Sequence, residues 1–538
     1  MKSNKIVNRL MGNSMVLFLY TLFFFVLTWP SSLHLKTHIL GDSWDGFQMY
    51  WNLWWVRRSI VNGGMRLFET SLLFFPKTPN LLVHSLHPFG GLLTIPFSPF
   101  LNDVEMFNLV VIFAFAVSGW GVYLLARHLN IGVFPALIGG YIFTFCSYHF
   151  AHATGHLNLI LMQWIPFYFL FFLRLIARSR LRDAFLSAIF LFLVLLCDHY
   201  YFLFCVLASV VFIVWGLFFK TADLVNSRFV RAFSLFFLLA LSTSGVFIFS
   251  LLKVVHEGNI VGHNASVYGM DLFALLIPGG HWHWHAHTAS YWIGLNGGNY
   301  HESSVHVGFG AVCLAVCGFH YLQKRRENMR FLWLFLFLFF FWLSLGKDLQ
   351  IFGSLIMLPM PYEALGRVLP IVGLGGVPVR FIVVAVLALS IFAAYGAQML
   401  LTTRKGRIVV ALLLCAVILE LYPRPIPVRR VSFPLYIEFL AQRAEVKPGA
   451  VLDLAHTPPF AMVYQTRHRQ PIHTGYLARM HCSIQRSYAH VQSLIQQQRF
   501  SELGSEWKFR YVLSKVRLKG CRLIFDGPVQ VYEIKGGH

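Results

Sequence analysis

Acidic side chains are scarce in this chain: 22 Asp and Glu stand against 44 Lys and Arg in 538 residues, and charged residues make up only 12%. Soluble globular domains carry roughly 25% charged residues, so this shortage excludes an ordinary soluble fold. Cysteine is also sparse. There are eight, and none has metal-ligand spacing with a second Cys or His pair. Cys146, Cys197, Cys205, Cys313, Cys317 and Cys415 sit in apolar runs, where Cys behaves as a small hydrophobe. Only Cys482 and Cys521, in the polar tail, could pair in an oxidising compartment. Internal repeats and low-complexity segments are missing, which excludes solenoids and disordered linkers. No small-residue cleavage site follows the first apolar run, so that run reads as a membrane helix and not a cleaved signal. The excess of positive charge lacks any RNA- or DNA-binding motif, and no nucleic-acid partner is expected.

What is abundant is apolar surface: 57% hydrophobic residues, with 54 Phe. Runs of spanning length fall near 15–35, 105–126, 132–150, 157–175, 184–199, 201–219, 230–252, 305–322, 330–346, 379–401 and 407–423. The expected fold class is therefore an all-α polytopic membrane bundle of about eleven helices over residues 1–423. Loops rich in Arg and Lys, such as Arg174 to Arg182, Lys324 to Arg330 and Arg404 to Arg407, share a side with the N-terminus, and the positive-inside rule makes that side cytoplasmic. The alternate loops, 36–104, 253–304 and 347–378, are long and face outward. An odd number of spans puts residues 424–538 outside as well. That tail is polar, with 17 Lys and Arg against 7 Asp and Glu. Runs such as Ala450 to Leu454 and Phe509 to Leu513 predict a small α/β domain. Its basic character runs against the charge rule, although long domains cross membranes largely regardless of charge.

Few acids in a greasy chain make each one informative, because a carboxylate near the bilayer is costly to hold. Gly41-Asp42-Ser43-Trp44-Asp45 opens the first outer loop, followed by a helical pattern to Ile60. In that pattern Trp51, Trp54 and Trp55 share a side, as expected of an interfacial helix with its aromatic face in lipid. Asp42 suits an N-cap as well as a catalytic group. Asp45, inside the first turn, suits a cap less well and is the preferred working carboxylate. His84 and His87 follow in the same loop. His149, His152 and His156 cluster near the outer ends of the third and fourth runs. They read as a metal site or, preferably, as hydrogen-bonding interfacial side chains. Asp198-His199 ends the fifth run, either sharing a cavity with Asp45 or capping a turn. Glu302 closes the loop 253–304. His281, His283, His285 and His287 alternate with Trp282 and Trp284. In a strand the four His would face one way and offer a divalent metal site; the competing reading is sugar stacking or an interfacial belt. Arg380 enters the tenth run from outside, and an Arg at that depth needs an anion. A lipid phosphate fits its bidentate fork; pairing with Asp348 or Glu363 is the alternative.

Taken together, Gly41-Asp42-x-x-Asp45-x-x-Gln48, Trp51-Asn52-Leu53-Trp54-Trp55, His156-Leu157-Asn158-Leu159, Pro378-x-Arg380-Phe381, Tyr464-Gln465-Thr466 and Pro471-Ile472-x-x-Gly475-Tyr476 resemble the poorly characterised bacterial members of the GT-C superfamily of membrane glycosyltransferases. The resemblance implies an inverting hexosyl- or pentosyltransferase of the bacterial inner membrane. It implies a polyprenyl-phosphate-linked sugar donor used at the outer leaflet, a glycan, lipid or protein acceptor, and a role in cell-envelope glycan biosynthesis. It implies a first-loop Asp as base: Asp45, with Asp42 as substitute, since the family's more familiar adjacent Asp-Glu pair is missing here. Gln48, His87, His156, Asp198, His199, Glu302 and Arg380 are the expected substrate-binding residues. A transporter or flippase is the alternative function, weakened by the want of a mid-span acid and of two symmetric halves. A non-catalytic assembly protein acting through its tail is a third.

Overall fold

The computed structural model describes residues 2–63, 65–219, 226–257, 260, 262–293 and 302–534. Part of the loop 253–304, residues 258, 259, 261 and 294–301, therefore lies outside the described residues.

Each of the eleven apolar runs contains a helix, but fewer meet the requirements of a full crossing. Five helical segments are long and apolar enough to span a membrane: Asp103–His128, Leu157–Arg178, His199–Phe218, Ser227–Glu257 and Pro378–Leu400. Four shorter apolar segments accompany them: Met11–Leu27, Pro88–Phe97, Val133–Thr144 and Met329–Ser344. Helices at Leu181–Cys197, Phe309–Lys324 and Arg404–Glu420 complete the bundle. The chain is a membrane protein. Its helices pack by close backbone approach where glycines permit it. A Cβ built on Gly318 would lie 1.8 Å from the Phe392 carbonyl oxygen, and one on Gly396 would lie 1.9 Å from that of Leu314. Only hydrogen side chains allow these helices to meet, the small-residue logic of membrane interfaces.

Helix ends are set by local chemistry. Asn102 opens Asp103–His128 with a capping box: its side chain accepts from the Val104 and Glu105 N–H groups while Glu105 accepts from the Asn102 N–H. Asn108, one turn later, fixes the neighbouring strand β1 (His38–Leu40). Its amide donates to the Leu35 and His38 carbonyls, and its oxygen accepts from Leu40, all at 2.8 Å.

Strands are few and short. A hairpin, β2 (Leu349–Ile351) with β3 (Ser354–Ile356), lies in the loop 347–378. β1 pairs antiparallel with β4 (Val428–Arg430), joining the loop 36–104 to the start of the tail. Within the tail, β5 (Ala450–Asp453), β6 (Phe509–Ser514), β7 (Cys521–Phe525) and β8 (Gln530–Ile534) form one sheet in the order β5-β6-β8-β7. Only the β5–β6 pair is parallel. The helices Leu435–Val446, Pro458–His468 and Cys482–Gln496 accompany this sheet. Cys482 and Cys521 are not joined by a disulfide, so the pairing the tail allowed does not form.

The helix of the loop 36–104 packs into the tail. The helix Asp45–Val61 buries Trp51, Trp54 and Trp55, at 0%, 6% and 3% exposure. Trp51 Nε1 donates to Gln465 Oε1 at 2.7 Å and Trp55 Nε1 to the Leu67 carbonyl at 2.9 Å. The expected lipid-facing aromatic stripe is instead a protein core. Indole N–H groups seek partners when buried, and the tail and the loop supply them.

Candidate functional site

The turn before the helix Asp45–Val61 is built from both ends of the chain. Gly41 donates to the Pro427 carbonyl and Asp42 to that of Thr154, each at 2.7 Å. Asp42 Oδ1 accepts from the N–H groups of Trp44 and Gly46, both at 2.9 Å, satisfying donors that a helix start leaves open. Asp42 thus does a cap's work. Asp45, its carboxylate free of backbone bonds, turns inward. Tyr476 Oη donates to Asp45 Oδ1 at 3.0 Å, and His156 Nε2 lies 3.5 Å from Asp45 Oδ2. Gly155 makes this fit possible: a Cβ there would stand 2.8 Å from Asp45 Cβ.

Asp45 lines a cavity of about 360 Å³, and Arg380 lines the same cavity. Of the other residues expected at the site, Gln48, His156, Asp198, His199 and Glu302 also line it; Asp42 and His87 do not. Gln48 Nε2 donates to the Tyr476 carbonyl at 2.5 Å, bracing the tail loop. His87 is buried, its Nδ1 2.9 Å from the Ser85 carbonyl, and the loop presents His84 and Ser85 to the cavity in its place. Burial pushes the imidazoles of His84 and His87 down, to about 3 and about 4.

A rank of polar groups connects Asp45 to Arg380. The His156 and His152 rings lie 5.5 Å apart, and His152 Nε2 is 3.1 Å from Glu302 Oε2. Both Glu302 oxygens accept from the Arg380 guanidinium, Oε2 from Nε at 3.2 Å and Oε1 from the nearer Nη. Arg380 therefore pairs with Glu302. Neither alternative acid reaches it: Glu363 is bonded to Arg367 and Asp348 to Ser266. Burial alone would raise the Glu302 carboxyl, but Arg380 and His152 outweigh it and hold the group well below the usual carboxylate range. Burial lowers His156, with Asp45 pulling the other way. Arg380 also lies 4.8 Å from the centre of the Tyr200 ring.

Asp198 takes both parts the sequence allowed. It caps the helix His199–Phe218 through the Tyr200 and Tyr201 N–H groups, and it accepts from Asn158 Nδ2 at 2.7 Å at the cavity wall. Burial raises its carboxyl, against the pull of Arg380.

Sequence reasoning missed Arg479. It lies in the tail, lines the cavity, and donates to the Gly375 carbonyl at 3.0 Å and to Tyr200 Oη at 3.4 Å. A lone Arg in a basic polar segment carries no periodic signal. His263 and Tyr268, also lining residues, were missed for the same reason.

The histidine alternation does not form a strand. Residues 281–288 run as turns and a 3₁₀ turn, His285–Thr288. His283 packs on Tyr422 and Trp284, and His285 Nδ1 lies 3.2 Å from the Trp282 carbonyl. His281, His283, His285 and His287 therefore do not share one face. Among the described residues, no group of three or more His, Cys, Asp or Glu is placed to hold a metal ion.

Residues 15–422 match the domain of unknown function DUF6311. The chain belongs to that family. No curated protein sequence matches it. Among solved structures, it is similar to the arabinofuranosyltransferase AftD from Mycobacteria, at 14% identity over 97% of this chain with a TM-score of 0.55. The R1389S mutant of that protein gives a TM-score of 0.59, again at 14% identity over 97% of this chain. The oligosaccharyltransferase of Archaeoglobus fulgidus is similar at 11% identity over 93% of this chain and 69% of its own, with a TM-score of 0.48. The chain spans about two fifths of the length of the mycobacterial protein, 39% and 41% in the two comparisons. The fold is shared with the mycobacterial arabinofuranosyltransferase.

Proposed function

We propose that this protein is an inverting glycosyltransferase that moves a hexosyl or pentosyl group from a polyprenyl phosphate to an acceptor hydroxyl at the outer face of the bacterial inner membrane. The observation that carries this reading is the cavity shared by Asp45 and Arg380. A sugar on a lipid phosphate is activated, and displacement at its anomeric carbon leaves negative charge on the departing phosphate. Asp45 removes the acceptor proton, a task for a carboxylate within hydrogen-bond reach. The Tyr476 hydroxyl orients it from one side and His156 flanks the other. Arg380 and Arg479, both against Tyr200, receive the phosphate as charge develops. Glu302 and His152 hold the Arg380 fork in place.

In this reading residues 1–423 form the catalytic membrane bundle and residues 424–538 the extracytoplasmic portion, whose Tyr476 and Arg479 complete the cavity. The arabinofuranosyltransferase activity of the mycobacterial neighbour supports sugar transfer as the reaction class.

The test is direct. Purified protein incubated with a polyprenyl-phosphate sugar and a hydroxyl acceptor releases polyprenyl phosphate, and Asp45→Asn, folded to the same extent, does not. Undiminished turnover by Asp45→Asn removes Asp45 from the role of base.

A further inference from the structure

A second basic recess lies at the other end of the bundle. Asn158 lines the Asp45 cavity, and the helix that follows, Trp164–Arg178, carries the chain about 21 Å farther at 1.5 Å per residue. There a cavity of about 730 Å³ is walled by Arg127 and His128 from Asp103–His128, by Arg174 and Arg178, and by Arg182 from Leu181–Cys197. Four arginines from three helices thus converge on one space.

Their surroundings leave them mostly uncompensated. Among the described residues, Asp183 is the one carboxylate within ion-pair distance, its Oδ1 3.3 Å from Arg174 Nε. Asp183 is buried beneath the arginines, at 1% exposure, and does not line the recess. Arg127 keeps one donor on the Ile131 carbonyl at 2.5 Å. The Arg174 guanidinium lies 5.3 Å from the centre of the Phe171 ring, and Leu124, Leu170 and Phe171 give the recess an apolar wall. Like charges held this close repel one another, and an anion among them relieves that repulsion.

We propose that this recess binds the phosphate of an anionic lipid headgroup. Guanidinium forks match phosphate oxygens bidentately. The apolar wall suits the carbons next to that phosphate, and the recess lies at the ends of spanning helices, where headgroups are. A loop of arginines that merely obeys the positive-inside rule needs neither a concave site nor an apolar wall. The site is separate from the outer cavity, and its function does not depend on the reaction proposed there.

The experiment uses the full chain in detergent. Its thermal unfolding is followed with dioctanoyl phosphatidic acid, dioctanoyl phosphatidylcholine or inorganic phosphate. Phosphatidic acid is expected to raise the midpoint in a saturable way, and phosphatidylcholine is not. Arg178→Gln/Arg182→Gln, two exposed positions, is expected to weaken the effect about tenfold, the loss of about 1.4 kcal/mol of charge-assisted bonding. The control Arg404→Gln/Arg407→Gln removes the same charge from another loop and leaves the effect intact. An equal shift with inorganic phosphate keeps the anion site and assigns it to a soluble phosphate. Equal weakening by both double variants, or equal shifts with both lipids, overturns the proposal.

Discussion

The Tyr476 hydroxyl donates to Asp45 Oδ1 at 3.0 Å across 431 residues of sequence. The candidate base therefore depends on a loop far along the chain for its orientation. Tyr476→Phe keeps the ring, which packs edge-on to Trp44, and removes only the donor. We expect turnover to fall about 10- to 150-fold, the worth of one hydrogen bond to a charged group at about 1.5–3 kcal/mol, with the unfolding midpoint nearly unchanged. Kinetics with a polyprenyl-phosphate sugar, beside a melting curve, separate the two effects.

Gly155→Ala tests the same carboxylate from the opposite side. The added methyl meets Asp45 Cβ at 2.8 Å and the Gly46 nitrogen at 3.2 Å, so the Asp45 turn must shift. A displacement of this size at a reacting group costs on the order of 10²-fold in rate. The expected result is lost turnover with retained lipid binding; full activity would show that the site tolerates the shift.

Glu302→Gln leaves the Arg380 guanidinium buried without its counter-charge. Removing one partner of a buried pair costs about 3–5 kcal/mol, and the variant should melt well below the parent. Arg380→Lys keeps the charge but loses the fork, and donor affinity should fall more than stability does. Isothermal titration with the lipid phosphate alone distinguishes the two variants.

Acid should loosen the fold early. Burial drives the imidazoles of His84 and His87 down to about 3 and about 4, and those of His468 and His473 to about 4. An unfolded His titrates near ~6.5. Below that pH the unfolded chain takes up protons that the folded chain refuses. Stability from these groups is complete above about pH 6.5 and declines toward pH 4, by about 1.4 kcal/mol per pH unit for each group. Glu302 adds a loss at lower pH. Its folded value is depressed, so its contribution is present above the ordinary Glu value of about 4.3 and disappears as pH falls through the folded value. Melting curves from pH 8 to pH 4 should therefore show a decline that begins near 6.5, and a flat profile there would contradict the buried, neutral histidines.

The sequence disclosed features that depend on local pattern. Apolar run length located the helices, and the cost of charge near a bilayer picked out Asp45, Asp198, Glu302 and Arg380, all of which line one cavity. What stayed hidden depends on tertiary contact. The Trp51, Trp54 and Trp55 stripe looks the same whether it meets lipid or the tail, and only the Gln465 and Leu67 acceptors decide for protein. Spacing placed the histidines at 281, 283, 285 and 287 on one face only if the backbone is extended, and the backbone turns instead. Arg380 was expected to meet a lipid phosphate, Asp348 or Glu363, whereas Glu302, 78 residues away, pairs with it. Arg479 gave no signal because its partners, Tyr200 and the Gly375 carbonyl, lie 279 and 104 residues away.

The short ladder between β1 and β4 ties residues 38–40 to residues 428–430. A nascent chain that has delivered every helix of the bundle still lacks the far strand of that ladder, and with it Tyr476 and Arg479. The chamber is thus closed only after Arg479 has been made. A copy stopped before Tyr476 lacks part of the pocket wall.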